Sequence, residues 1–181
     1  MIVKKIAVLG LGLIGGSFAK ALKQSNPGIY ILGYDRSNIS DQALIDKTID
    51  EKLESIDQAL LADLIFLCLP IDNSLEAFRI LYPKLQSGQV LSDFCSVKKI
   101  FAEESKKISS EGIYIGAHPM TGKEKSGYAN SDPLLFENAT FIVCSETDVN
   151  PDKSYIDIIK LTGARIVLLT AALHDQIVSR V

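Results

Sequence analysis

Two side chains in this sequence stand where a reacting group can be handled, and one glycine pattern stands where a phosphate can be held. His118 follows the apolar run Ile113-Tyr114-Ile115-Gly116-Ala117 and precedes Pro119, which fixes the backbone. A neutral imidazole at such a strand end can accept a proton near neutral pH. A half-buried ring satisfied by backbone groups gives the same pattern, but the position favours function. Ser96 lies one residue beyond another apolar run, at the start of a predicted helix. Its hydroxyl can donate to a substrate oxygen, and it can equally serve as a plain N-cap. Lys98, in the first turn of that helix, reads as part of a solvated face. His174 and Asp175 are adjacent on a predicted helix. Neighbours in sequence do not share a helix face, so they are not read as a catalytic pair.

The phosphate signal is Gly10-Leu11-Gly12-Leu13-Ile14-Gly15, which follows the apolar run Ile6 to Leu9 and leads into a helix. This is the G-x-G-x-x-G spacing of a dinucleotide fold. Gly10 permits the tight turn, Gly12 lets a pyrophosphate approach the backbone, and Gly15 lets helix and strand pack closely. The first helical residues, Leu13 and Ile14, offer free N–H groups to the phosphates. A second predicted strand, Ile29 to Tyr34, ends in Asp35, about twenty residues beyond the fingerprint, where the adenosine ribose needs an acid. Asp35 would repel a 2′-phosphate, so the expected cofactor is NAD. The adjacent Arg36 argues the other way, because an arginine there can accommodate that phosphate. The competing explanation of the first twenty residues is a signal peptide, with Lys4 and Lys5 before an apolar stretch. It accounts for neither the glycine spacing nor Asp35.

The elements that must position these residues alternate. Helices are predicted over 39–47, 55–61, 75–85, 97–109, 151–162 and from 170 onward. Strands are predicted over 62–69, 88–95, 113–117, 139–144 and 165–169, with a short edge strand at 48–50. Alternation of this kind means right-handed crossovers and a parallel sheet. The expected fold is α/β: a Rossmann-type, doubly wound, mostly parallel sheet with helices on both faces. Ligands in such sheets lie at the carboxyl ends of the strands, which adds Leu69 and Pro70 to the candidate cofactor contacts and Ser96 to both candidate groups. The segment 120–137 breaks the rhythm and reads as a long irregular stretch, either a functional loop or a disordered one.

Composition limits the alternatives. The chain has 181 residues, 47% of them hydrophobic, and a net charge of -3, so it can fill a core and gives no sign of nucleic-acid binding. No apolar run is long enough to span a membrane. Three scattered cysteines suggest buried thiols in a reducing cytoplasm. With two histidines, no C-x-x-C and no H-x-x-x-H, a metal site is not expected.

Several segments together resemble the amino-terminal, nucleotide-binding half of the prephenate dehydrogenase family, which includes arogenate dehydrogenases. They are Gly10 to Ser17, Gly33-Tyr34-Asp35-Arg36, Asp93-Phe94-Cys95-Ser96-Val97-Lys98, Gly116-Ala117-His118-Pro119-Met120-Thr121-Gly122, Leu135 to Asn138 and Leu173-His174-Asp175. The resemblance implies NAD-dependent oxidative decarboxylation of prephenate. His118 would take the proton of the reacting hydroxyl, Ser96 would hold that hydroxyl in line, and the loop around Gly122 to Gly127 would lie over the site. Family members continue into a helical domain that dimerises and supplies an arginine for the substrate's side-chain carboxylate. Residues 1–169 are therefore expected to form the dinucleotide domain, and 170–181 to begin a linker helix to that second domain. Leu173, Ile177, Val178 and Val181 form a stripe that needs a covering partner. The alternatives are an arogenate dehydrogenase, a β-hydroxyacid dehydrogenase of the same fold, or a dinucleotide-binding module without turnover.

Overall fold

The computed structural model of the chain describes residues 3–145 and 151–180. The principal elements among these residues follow in chain order: β1 (Lys5–Leu9), α1 (Leu13–Ser25), β2 (Tyr30–Tyr34), α2 (Ser37–Ile45), β3 (Glu51–Lys52), β4 (Leu64–Leu67), α3 (Ile71–Leu81), β5 (Val90–Asp93), α4 (Lys99–Lys107), β6 (Ile113–Pro119), β7 (Thr140–Cys144), α5 (Lys153–Lys160), β8 (Arg165–Leu169) and α6 (Ala171–Val178), with a 3-10 turn at Ile56–Leu61 before β4. The strands form one sheet in the order β3-β2-β1-β4-β5-β6-β7-β8. All neighbours are parallel except β6 and β7.

Alternate residues of the central strands feed two cores. Ile6, Val8, Leu64 and Phe66 face Phe18 and Leu22 of α1 and Tyr155, Ile158 and Ile159 of α5. Ala7, Leu9, Ile65 and Leu67 face Ala77, Phe78 and Leu81 of α3 and Phe101 of α4. A strand covered on both faces reads as a continuous apolar run, as these do. The doubly wound architecture expected from the alternation is the one observed. Cys68, Cys95 and Cys144 are not joined in disulfides among the described residues. Among the described residues, no helix is long and apolar enough to cross a membrane.

Several boundaries differ from the sequence expectation. The edge strand is at Glu51–Lys52, not at 48–50, because Thr48 and Ile49 close the turn after α2 by donating to the Ala43 carbonyl. Lys47 in that turn takes a left-handed φ of 58°. Helix α3 starts directly after Pro70, four residues earlier than its apolar periodicity suggested. The 3-10 turn before β4 opens at Ser55, whose N–H donates to Gln58 Oε1 at 3.2 Å. In α6 the buried positions are Ala171 and His174. Leu173 and Ile177 are exposed, as are Val167 and Leu168 of the edge strand β8. Val181 lies outside the described residues.

The pairing register gives the sheet a common edge. Tyr34, Leu9, Leu67, Asp93, Gly116, Cys144 and Leu169 are successive partners across seven strands. Strands β1, β2, β4 and β5 end on this row. Strand β6 runs three residues past it, and β7 pairs antiparallel with that overhang. Strand β8 runs with β7 and so ends on the row as well. Helix α6 therefore begins at the same level as the carboxyl ends of β1, β2, β4 and β5.

Candidate active site

Just beyond the row lies a cleft of about 620 Å³ whose walls include Gly10, Gly12, Asp35, Arg36, Leu69 and Pro70, together with Ser126 and Gly127 of the long loop. Six of the predicted cofactor contacts thus share one cleft. Gly10 has φ +96°, and a Cβ there would lie 2.6 Å from the Cys68 carbonyl oxygen, so the turn requires glycine. A Cβ on Gly15 would lie 1.9 Å from the Gly10 carbonyl oxygen, which is why α1 can start so close to β1. At Gly12 a Cβ would meet nothing within 4 Å. The space above it is open, as a group approaching the backbone requires. Leu13 and Ile14 form the first turn of α1, with their amides toward this end of the sheet.

Asp35 is held by the chain itself. Its Oδ2 accepts from the Leu11 N–H at 2.7 Å and its Oδ1 from the Arg36 N–H at 2.7 Å. The carboxylate thereby ties the end of β2 to the glycine loop, and each oxygen keeps a lone pair for a further donor. The Arg36 side chain is 84% exposed and its Nε stands 3.8 Å from Asp35 Oδ1. On the opposite wall, Ser74 Oγ donates to the Leu69 carbonyl at 2.9 Å and fixes the turn through Leu69 and Pro70.

The long loop is anchored on α1 and α2. Tyr128 Oη lies 2.7 Å from Thr48 Oγ1 and 3.0 Å from Asp46 Oδ2. The Lys20 ammonium sits 4.6 Å from the centre of the Tyr128 ring. The Asp132 N–H donates to Ser17 Oγ at 2.8 Å. These contacts carry Ser126 and Gly127 to the cleft, and the sequence pattern alone did not reveal them.

Ser96 lies beyond the end of β5, and His118 lies in the overhang of the adjacent β6, two residues past the row. Ser96 is exposed, in the connection between β5 and α4. It does not cap α4, which begins at Lys99; the helix takes its cap from another part of the chain. Asp175 Oδ1 accepts from the Lys98 N–H at 2.8 Å, and its Oδ2 from the Lys99 N–H at 2.9 Å. Lys98 is not a solvated face. It is fully buried in an ion pair with Asp93, whose Oδ2 accepts from Tyr114 Oη at 2.6 Å. Burial, and then the Asp93 carboxylate, pushes the Tyr114 phenol well above its usual value.

The largest correction concerns His174 and Asp175. His174 Nδ1 lies 2.7 Å from Asp175 Oδ1, and its Nε2 lies 2.9 Å from His118 Nδ1. The two neighbours need no common helix face, because the short carboxylate folds back onto the ring nitrogen nearest the backbone. His174 is fully buried and His118 only half-buried. Burial pushes the His118 imidazole down to about 4, and His174 and the Lys98 ammonium add to the effect. His118 is therefore neutral at pH 7 and available as a proton acceptor. Desolvation opposes ionisation of Asp175, but hydrogen bonds from His174 and from two backbone amides bring its carboxyl below the usual range.

Residues 18–168 match the prephenate dehydrogenase nucleotide-binding domain family. The chain belongs to the prephenate dehydrogenase family. It is 35% identical to the prephenate dehydrogenase of Lactococcus lactis, over 98% of this chain and 50% of that protein. The crystal structure of Synechocystis arogenate dehydrogenase is 32% identical and superposes with a TM-score of 0.87, over 97% of this chain and 63% of that one. The Aquifex aeolicus prephenate dehydrogenase, in complex with hydroxyphenyl propionate and NAD+, gives a TM-score of 0.86 at 27% identity, over 98% of this chain and 63% of that one. The chain thus spans about half the length of the curated prephenate dehydrogenases it matches.

Proposed function

We propose that this chain is the cofactor-binding part of an NAD-dependent prephenate dehydrogenase. The observation that carries the reading is the neutral, half-buried His118 on the same edge of the sheet as a glycine-lined cleft closed by Asp35. The residues of the cleft fit the group: an open approach over Gly12, amides at the start of α1 for a pyrophosphate, and a carboxylate for ribose hydroxyls. NAD, when bound, supplies the hydride acceptor.

The chain's own residues then do the following. Gly10, Gly12, Leu13, Ile14 and Gly15 hold the phosphates, and Asp35, Leu69 and Pro70 hold the adenosine end. Ser96 positions the substrate hydroxyl. His118 accepts the hydroxyl proton at Nε2 as the carbinol becomes a carbonyl. Loss of carbon dioxide from the ring then leaves 4-hydroxyphenylpyruvate, whose aromaticity helps drive the reaction. Arogenate is the second reading, favoured by the likeness to the Synechocystis enzyme. The two substrates differ only on the side chain, at an amino or keto group.

Residues 170–181 are proposed to open a linker helix to a helical domain that dimerises and completes the substrate site. The exposed Val167, Leu168, Leu173 and Ile177 support this, since an apolar face of that kind calls for a cover. The three scattered cysteines support a cytoplasmic location. The test is steady-state oxidation of prephenate and of arogenate by the full-length protein with NAD. Turnover of prephenate is expected, and turnover of neither substrate overturns the reading.

A further inference from the structure

We infer that His174 and Asp175 are positioning residues that fix His118 in a single tautomer, with the proton on Nδ1 and a bare lone pair on Nε2. The inference rests on the reading of His118 as the proton acceptor, and the argument is one of donors and acceptors. Both Asp175 oxygens receive backbone N–H groups, from Lys98 and Lys99, and amides can only donate. The carboxylate is thus an acceptor, and the His174 Nδ1 at 2.7 Å from it must carry a proton. With a single proton on the His174 ring, already given to Asp175, Nε2 of His174 is an acceptor. The atom it faces at 2.9 Å, Nδ1 of His118, must then be the donor. With one proton on His174 the relay runs in one direction, and it leaves Nε2 of His118 free to take a proton from a substrate.

The arrangement also sets the charge around His118. Lys98, at the start of α4, opposes its protonation, whereas Asp175 on α6 favours it. Strand β7 presents Ile142 opposite His118 and adds no charge. When His118 takes a proton at Nε2, its Nδ1–H remains donated to His174 and no bond in the chain need break. Asp175 is the only carboxylate among the described residues that raises the proton affinity of His118, and it acts through a ring with no exposure to water.

The test reads the tautomer directly. Long-range nitrogen–proton spectra of the chain at pH 7 should show His118 neutral, with Nδ1 protonated and Nε2 bare. An Nε2–H tautomer in the unaltered protein overturns the inference, whether or not any variant folds. In His174→Gln the acceptor is no longer fixed, and His118 should become a tautomer mixture; an unchanged spectrum in that folded variant also overturns it. Asp175→Asn should lower the His118 titration further, because the favourable charge is gone. In the full-length protein, His174→Gln should cut kcat by about tenfold or more with little change in KM. A role in packing alone would lower Tm and leave the tautomer, the titration and kcat in place. Because the spectra need no turnover, failure of the proposed reaction and failure of this inference are told apart.

Discussion

At the scale of single residues, His118 and Asp35 carry the sharpest expectations. His118→Asn in the full-length enzyme should lower turnover by roughly a hundredfold or more and leave cofactor affinity nearly intact, as loss of a general base does. Wild-type turnover in that variant would remove the assignment. The wild-type acid limb should lie well below 6.5, toward the value of about 4 to which burial pushes the ring. The same shift couples to stability. In the unfolded chain the ring binds a proton below about 6.5; in the folded chain it does so only near about 4. Stability from this group is therefore complete above that window and declines as pH falls through it. For Asp35, calorimetric titration should show tighter binding of NAD than of NADP, because the carboxylate repels a 2′-phosphate. Asp35→Ser should narrow the gap, and tighter binding of NADP by the unaltered chain would refute the preference. Both residues were legible in the sequence, since each stands directly after an apolar strand. The burial of Lys98 and its pairing with Asp93 were not, because a lysine in a first helical turn normally reaches water.

At the scale of elements, the strand–turn–helix unit separates folding from binding at two glycines three residues apart in the same motif. A side chain at Gly15 collides with the Gly10 carbonyl, whereas one at Gly12 meets nothing. Gly15→Ala should therefore destabilise the domain by about 1–3 kcal/mol or more, the cost of overpacking. Gly12→Ala should keep its Tm within a few degrees and lose cofactor affinity, since the methyl occupies the approach to the backbone. Thermal melts with and without NAD check both, and equal loss of stability in the two variants would contradict the division. Most elements were readable because apolar runs and periodicities are local. The Asp175 cap on α4 was not, because the carboxylate and the amides it serves are 76 and 77 residues apart. The segment 120–137 was readable as a break in the alternation, but its anchoring through Tyr128 to Thr48 and Asp46 depends on tertiary packing.

At the scale of the whole molecule, a glycine-lined cleft is combined with an exposed apolar edge at β8 and α6. The isolated chain is expected to bind NAD, yet to turn over prephenate poorly or not at all, because the substrate's carboxylate contact is assigned to the proposed second domain. Rates near those of the full-length protein would refute the division of labour. Sedimentation should show the full-length protein as a dimer; a nanomolar dimer of the isolated chain would move the interface into this domain. The doubly wound class was evident from the alternation of elements. The reversal at β7 was not, since a strand's direction is set by how its connection crosses the sheet and not by its own residues.

That reversal has a consequence for the order in which the molecule can mature. Synthesis delivers the chain from its amino terminus, and a ribosome that has released β1 to β6 has released every wall of the cofactor cleft formed by strand ends. His118 emerges with them, but the ring that orients it lies 56 positions downstream, behind two further strands and a helix. During that interval the contact between the two imidazoles cannot form. The contact between His118 and His174 therefore arrives late, as a docking event that closes a long-range pairing.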